Sequence, residues 1–491
     1  METIVSSNAN GVKAAYTYDA QNRLATVVDA RLPGANTTTY TYDPASNLAT
    51  VQIPNGLTST FTYDALNRLT ELSTPPVADY KYTLGATGIR TNATELNEAT
   101  QSNGRTIQWS YDNIYRLTGE AITGDPANNG NDNGSVSYTL DPVGNRTADT
   151  SSLIGINPIA GTYNANDQLT SSESYDANGN TTHAANGNSY TYDSENHMIT
   201  MSNGSAVVNL IYDAFGNRVA KTVNGATTQY LVEDDVNPTG YPQVMEELTG
   251  PIGSGVVTRQ YTYGLQRISE NLSPAVTGNS TWTPSFYGYD GFGSVRQLTN
   301  SSGVVTDSYE YDAFGNSFTK QGTTPNNYLY RGEQYDSDLG LYYLRARYYN
   351  PSTGRFFSRD PEDGKANDPA SLHKYLYAGG EPVNAMDPTG QNILDRAIFN
   401  GWVVGRFGTA AALAYLTAGG NQFAAYVQLY AGYAYLTAPQ LEAIISEILV
   451  TNGPVRAMAC ATVGLMIHDM MEGTPKSAQW AVIIAYEGAC G

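Results

Sequence analysis

A Tyr-Asp pair recurs through the first three hundred or so residues, and its spacing constrains the fold more than any other feature. Pairs begin at Tyr18, Tyr42, Tyr63, Tyr111, Tyr175, Tyr192, Tyr212, Tyr289 and Tyr311, and degenerate copies stand at Leu140-Asp141 and Tyr163-Asn164. Several successive gaps are about twenty residues, a period that signals a repeat architecture. Each copy reads as a β-hairpin. In the run from Tyr16 to Val27 an alternating strand enters a polar turn and leaves as a second strand. Asp19 and Asn22 suit that turn, because short polar side chains bond to nearby backbone. In Tyr212-Asp-Ala-Phe-Gly-Asn-Arg the Gly-Asn pair supplies residues tolerant of positive φ. Hairpins stacked edge to edge make a long sheet that must curl or be capped. A single Tyr-Asp pair is architecture: the ring packs and the carboxylate caps a turn.

Composition fits a β structure. Tyr (38) outnumbers Phe (11) and Trp (4) together, and tyrosine favours strands while keeping its hydroxyl near water. A net charge of -20 excludes nucleic-acid binding by the repeat region, which needs clustered Lys and Arg. The two cysteines, Cys460 and Cys490, form no CxxC or His/Cys cluster. No metal or cofactor site is therefore expected. The first residues lack the basic and apolar pattern of a signal peptide, so a secreted or cell-surface protein would travel by a non-classical route.

The segment from Tyr328 to Gly390 contains Gly340-Leu-Tyr-Tyr-Leu-Arg-Ala-Arg-Tyr-Tyr-Asn-Pro-Ser-Thr-Gly-Arg-Phe and closes on Asn384-Ala-Met-Asp-Pro-Thr-Gly. With the Tyr-Asp repeats before it, this run resembles the Rhs (YD-repeat) proteins and their repeat-associated core. The resemblance covers roughly residues 10 to 390. It implies a polymorphic toxin whose repeats form a hollow β-shell around a variable C-terminal toxin. The expected fold is thus mainly β: a hairpin array over 1–327 curling into a partial shell, the core at 328–390, and a small all-α effector domain at 391–491.

Two aspartates punctuate the core, Asp360 in Arg359-Asp-Pro and Asp387 in Asp387-Pro-Thr-Gly, 27 residues apart. Two carboxylates held close share one proton, which suits activation of water and protonation of a leaving amide. On residues alone, Asp-Pro is a common turn starter. The resemblance implies more: self-cleavage just after the Asp-Pro-x-Gly motif, with Asp360 and Asp387 catalytic, Arg347 in support, and the cut near Gly390, Gln391 and Asn392. Gln391 stands where the family usually has Leu. Tyr342, Tyr343, Tyr348, Tyr349 and Arg355 read as packing and turn residues.

After Gly390 the Tyr-Asp pattern stops. Leu441, Ile444, Ile445, Ile448 and Leu449 fall on one helical stripe. Thr437 and Gln440 resemble a capping box, and Asn452-Gly-Pro ends the helix. Residues 407–441 carry no charge. A membrane-active hairpin is one explanation, although each arm is shorter than the ~20 apolar residues of a span; a packed helical bundle is the other. Cys460, His468 and Asp469 are weak effector candidates, since a Cys/His pair can make a nucleophile but a buried structural cysteine is commoner. Two functions follow. One is an interbacterial toxin whose expected partners are a delivery machine, a cognate immunity protein and, for a membrane-active tail, a target-cell membrane. The other is an adhesion protein whose repeats bind glycans and whose tail is structural.

Overall fold

The computed structural model describes residues 2–391 apart from 33, 35, 98–101, 126–132, 154, 157 and 365–368. The helices expected beyond Gln391 lie outside the described residues. The chain divides into two compact units. Among the described residues, one takes in 2–19, 24–41 and 48–391, and the other takes in 20–23 and 42–47. In the second, the Arg23 guanidinium lies 4.3 Å from the centre of the Tyr42 ring and donates to Ser46 Oγ at 3.0 Å.

The first unit is built from antiparallel sheets in which every strand pairs with its neighbours in sequence. Thirteen strands, from Glu2–Val5 to Arg146–Ser151, form one sheet, and fourteen, from Ser174–Tyr175 to Ser317–Gln321, form another. A four-stranded sheet follows: Gln334–Asp336, Leu341–Leu344, Arg347–Asn350 and Arg355–Phe356. Among the described residues, the one α-helix is the single turn Pro274–Thr277. The expectation of a mainly β hairpin array holds.

The aspartate of each repeat does what its turn requires. Asp213 Oδ1 accepts from the backbone N–H groups of Phe215 and Asn217, both at 2.9 Å, and Oδ2 accepts from Asn217 Nδ2 at 3.1 Å. Asp64 accepts from Leu66 and Arg68 in the same way, with Arg68 Nε as the side-chain donor at 2.6 Å. Both oxygens are satisfied inside the turn, which leaves little for a ligand. The residue before the last turn position takes positive φ, 79° at Gly216 and 59° at Asn67. Asn tolerates this conformation and Gly adopts it without strain.

The tyrosine does more than pack. Its hydroxyl reaches the preceding strand and donates to the carbonyl of the residue that opens it: Tyr63 to Leu48 (3.1 Å), Tyr111 to Arg90 (2.6 Å), Tyr192 to Thr181 (2.9 Å), Tyr212 to Met198 (2.8 Å), Tyr289 to Arg267 (2.7 Å) and Tyr311 to Val295 (3.0 Å). The pairing register shifts at each of these tyrosines, as at a β-bulge, which re-aims a side chain. Successive turns are tied together by this bond.

The two large sheets meet through aromatic and ionic contacts. Phe292, from an Asp turn of the second sheet, packs edge-on against Tyr82 and Trp109 of the first, with ring centres 5.3 and 5.4 Å apart. Phe314 meets Tyr138 likewise at 5.2 Å. Arg296 forks onto Glu95 at 2.6 and 2.9 Å, the bidentate geometry that makes an arginine–carboxylate pair strong.

Beneath this cluster Trp109 Nε1 donates to the buried Glu120 at 2.7 Å. Burial, reinforced by nearby Asp312, pushes the Glu120 carboxyl up to about 8. An unfolded glutamate releases its proton near pH 4.5, whereas the folded one keeps it until about 8. This group's stabilisation is therefore complete at low pH and falls by ~1.4 kcal/mol per unit as pH rises across that window. Glu120→Gln keeps an acceptor for Trp109 and cannot ionise. It should raise the melting temperature by several degrees at pH 8.5 and change it little at pH 4.5. An equal shift at both pH values would show that ionisation of Glu120 is not the cause.

Candidate functional site

The site stands on the hairpin formed by Leu341–Leu344 and Arg347–Asn350. Its two-residue turn, Arg345-Ala346, places Arg345 at φ 59°. Three tyrosines bolt the surrounding core onto the last repeat by serving three consecutive carbonyls of its turn: Tyr330 donates to Ala313 (2.7 Å), Tyr349 to Phe314 (2.7 Å) and Tyr342 to Gly315 (3.1 Å). Below the hairpin, the fully buried Arg218 donates to Asp336 (2.8 Å), Gln334 (2.8 Å) and the Tyr348 hydroxyl (2.6 Å). Arg355, read from sequence as structural, donates to Asn145 Oδ1 at 2.8 Å.

Both Asp-Pro motifs are delivered by backbone and side-chain bonds. Asp360 N donates to Lys374 O at 2.9 Å, and Arg347 Nη1 donates to the same carbonyl at 3.2 Å. Upstream of Asp387, Asn384 accepts from Arg90 N at 2.9 Å and donates to Glu381 at 2.8 Å. Arg331 donates to the carbonyls of Phe292, Pro382 and Ala385. The turn that carries Asp387 is thereby fixed to both large sheets.

These constraints converge on Arg347. Its Nη2 lies 2.8 Å from Asp360 Oδ2 and 3.4 Å from Asp387 Oδ2, and its Nε donates to the carbonyl of Gly390. The guanidinium carbon sits 3.7 Å from the centre of the Phe356 ring, which covers one face. Asp387 Oδ1 accepts from the backbone N–H of Gln391 at 3.1 Å and from Thr389 Oγ1 at 3.2 Å. The peptide between Gly390 and Gln391 is therefore touched at both ends, its oxygen by Arg347 and its nitrogen by Asp387.

Burial divides the two carboxylates. Asp387 is 1% exposed, and desolvation, opposed by Arg347 and reinforced by the charge of Asp360, raises its pKa above the ordinary carboxylate value. Asp360 retains 17% side-chain exposure. Burial pulls the Arg347 guanidinium below its usual value, opposed by both aspartates. A small cavity of about 10 Å³, lined in part by Arg345, Ala346, Arg347 and Ser358, flanks the hairpin; that is about the space one water needs.

Arg347, Asp360, Asp387, Gly390 and Gln391 thus come together in one place. Asn392, Cys460, His468 and Asp469 lie outside the described residues. Missed from sequence were Arg345, whose Nη1 donates to Pro388 O and meets Glu333 at 3.0 Å, and Phe356. The Leu-Arg-Ala-Arg alternation around a turn was the available signal, because both arginines flank one hairpin tip. No group of three or more His, Cys, Asp or Glu residues able to hold a metal occurs among the described residues.

A family model described as the teneurin YD-shell matches residues 3–111 and 88–383. The chain belongs to this family. This YD-shell chain is 34% identical over 288 residues to a protein named tRNA3(Ser)-specific nuclease WapA from Bacillus spizizenii, covering 56% of this chain and 11% of that one. It is 26% identical over 229 residues to double-stranded DNA deaminase toxin A of Burkholderia cenocepacia, covering 41% and 15%. The chain spans about a tenth of the length of the first of these curated relatives. In structure it is similar to the crystallised TcdB2-TccC3-Cdc42, with TM-score 0.62, 18% identity, and 78% of this chain matched to 22% of that one. That likeness shows the fold.

Gly390 holds its neighbours close. At φ 71° an added Cβ would lie 2.4 Å from the carbonyl oxygen of Leu344, closer than two such atoms can approach. Gly390→Ala should lift residues 388–390 from the hairpin. The Ala346 N–H, which donates to Thr389 O at 3.1 Å, should then exchange with deuterium about tenfold faster. An unchanged exchange rate would mean that the segment tolerates the side chain.

Proposed function

We propose that this chain is the YD-shell part of a polymorphic toxin that cuts itself near Gly390–Asn392 and so frees residues 391–491 as a helical effector. The observation that carries the proposal is one buried guanidinium, Arg347, in contact with both aspartates and with the Gly390 carbonyl. The Gly390–Gln391 peptide is the bond best placed for attack. Arg347 polarises its carbonyl and stabilises the oxyanion that forms, a task suited to a fixed donor in a water-poor site. Asp360, the more exposed carboxylate, takes a proton from the attacking water. Asp387, whose protonated form burial favours, gives its proton to the Gln391 nitrogen as the C–N bond breaks. The products are a carboxylate on Gly390 and an amine on Gln391.

The names of the relatives, tRNA nuclease and DNA deaminase toxin, support a toxin class. Their differing chemistries leave the activity of residues 391–491 to that segment itself. A toxin of this kind is secreted or displayed at the cell surface, uses a delivery machine, and is neutralised in its producer by a cognate immunity protein.

Incubation of the purified full chain should convert it to two pieces, the smaller beginning at or next to Gln391 by mass spectrometry. Asp360→Asn and Asp387→Asn should stay intact. Because Asp387 must carry a proton, the cleavage rate should fall as pH rises through its elevated pKa, on the alkaline side of an ordinary aspartate. A wild-type chain that stays whole across this pH range would sink the proposal.

A further inference from the structure

Arg345 grips the same stretch of chain that Arg347 and Asp387 hold. Three consecutive residues of the hairpin tip each aim one donor at one of three consecutive carbonyls. Arg345 Nη1 donates to Pro388 O, the backbone N–H of Ala346 to Thr389 O at 3.1 Å, and Arg347 Nε to Gly390 O. Glu333 holds the Arg345 guanidinium through contacts of 3.0 and 3.1 Å, and Arg345 Nε donates to Pro242 O at 3.1 Å. The arginine is thus anchored on two sides before it meets the cleavage segment.

We propose that Arg345, oriented by Glu333, is a positioning residue that sets the register of residues 388–390 against Arg347 and the two aspartates. This rests on the self-cleavage proposed above. A slip of one residue moves an extended chain by about 3.3 Å, enough to take the Gly390 carbonyl away from Arg347. Fixing Pro388 fixes the neighbouring Asp387 as well, since the two are adjacent. The clamp reads main-chain carbonyls, so it sets register without selecting side chains at 388–390. A lysine would be a poor substitute: Arg345 meets Glu333 and Pro388 through Nη1 while its Nε holds Pro242, and a single ammonium nitrogen cannot span both anchor points in that fixed planar geometry.

The test follows cleavage of the full chain over time in wild type, Arg345→Ala, Arg345→Lys, Glu333→Gln and Asp387→Asn, with a melting temperature for each. Arg345→Ala should cleave about 10- to 100-fold more slowly, the loss expected when a reacting group is misplaced by an ångström or so. Its alkaline pH limb should match wild type, because a positioning residue does not titrate. Arg345→Lys and Glu333→Gln should be slowed less, and millimolar guanidinium should restore part of the Arg345→Ala rate. Wild-type rates in Arg345→Ala and Glu333→Gln, with Asp387→Asn uncut, would overturn the clamp and leave self-cleavage standing. An uncut wild-type chain would remove both. If Arg345→Ala melts too low to judge, Glu333→Gln decides: a wild-type rate there counts against the clamp.

Discussion

A hydrogen bond from a tyrosine hydroxyl to the carbonyl that opens the preceding strand underlies the architecture. It recurs at Tyr63, Tyr111, Tyr192, Tyr212, Tyr289 and Tyr311. Each such bond contributes on the order of 1 kcal/mol net, so no single one holds the fold. Its effect lies in repetition. Because every tie joins an aspartate turn to the strand that leaves the preceding turn, the spacing of turns is passed along the sheet from hairpin to hairpin. The core segment ends the series by the same means, with Tyr330, Tyr349 and Tyr342 serving the last turn's three carbonyls. The four-stranded sheet that carries Arg347 is thereby fixed to the repeat array.

The hairpins were legible because their information is local. Asp213 and Asn217, or Asp64 and Arg68, lie within one turn, and their side chains bond to backbone two and four residues away. The tyrosine ties were not legible. Donor and acceptor stand 14 to 22 residues apart at Tyr212 and Tyr289, and the bond exists only once the bulge has turned the ring. The turn-tip hydrophobics show the same limit. Phe215 is exposed while Phe292 and Phe314, at the equivalent place after Asp290 and Asp312, are inserted between sheets. Local sequence is alike in the three; what differs is the partner surface.

For the site, the fold gathers Arg347, Asp360, Asp387, Gly390 and Gln391, five residues singled out in the sequence, but the reason was invisible there. Asp360 and Asp387 both reach Arg347 because the Lys374 carbonyl accepts from Asp360 N and Arg347 Nη1, and Asn384 is bonded to Arg90 of the first sheet. Burial then separates the two carboxylates, leaving Asp387 enclosed and Asp360 in part exposed. No spacing rule conveys that difference. It depends on which neighbours enclose each carboxylate: Asp387 lies in a turn bonded to both large sheets, whereas Asp360 enters from an irregular segment after Phe357-Ser358.

Under the proposed self-cleavage, the site would face a constraint that ordinary enzymes do not. Substrate is present at an effective concentration fixed by the fold, so affinity is irrelevant and register is what matters. Donors that meet consecutive carbonyls solve that problem with the least dependence on side chains. Gln391 fits this view, since it enters the site through its backbone N–H, which donates to Asp387 at 3.1 Å. The residue past Gly390 can then vary while the carbonyl before it stays pinned to Arg347. Gly390 itself cannot vary in the same way, because the Leu344 carbonyl occupies the space any side chain would need.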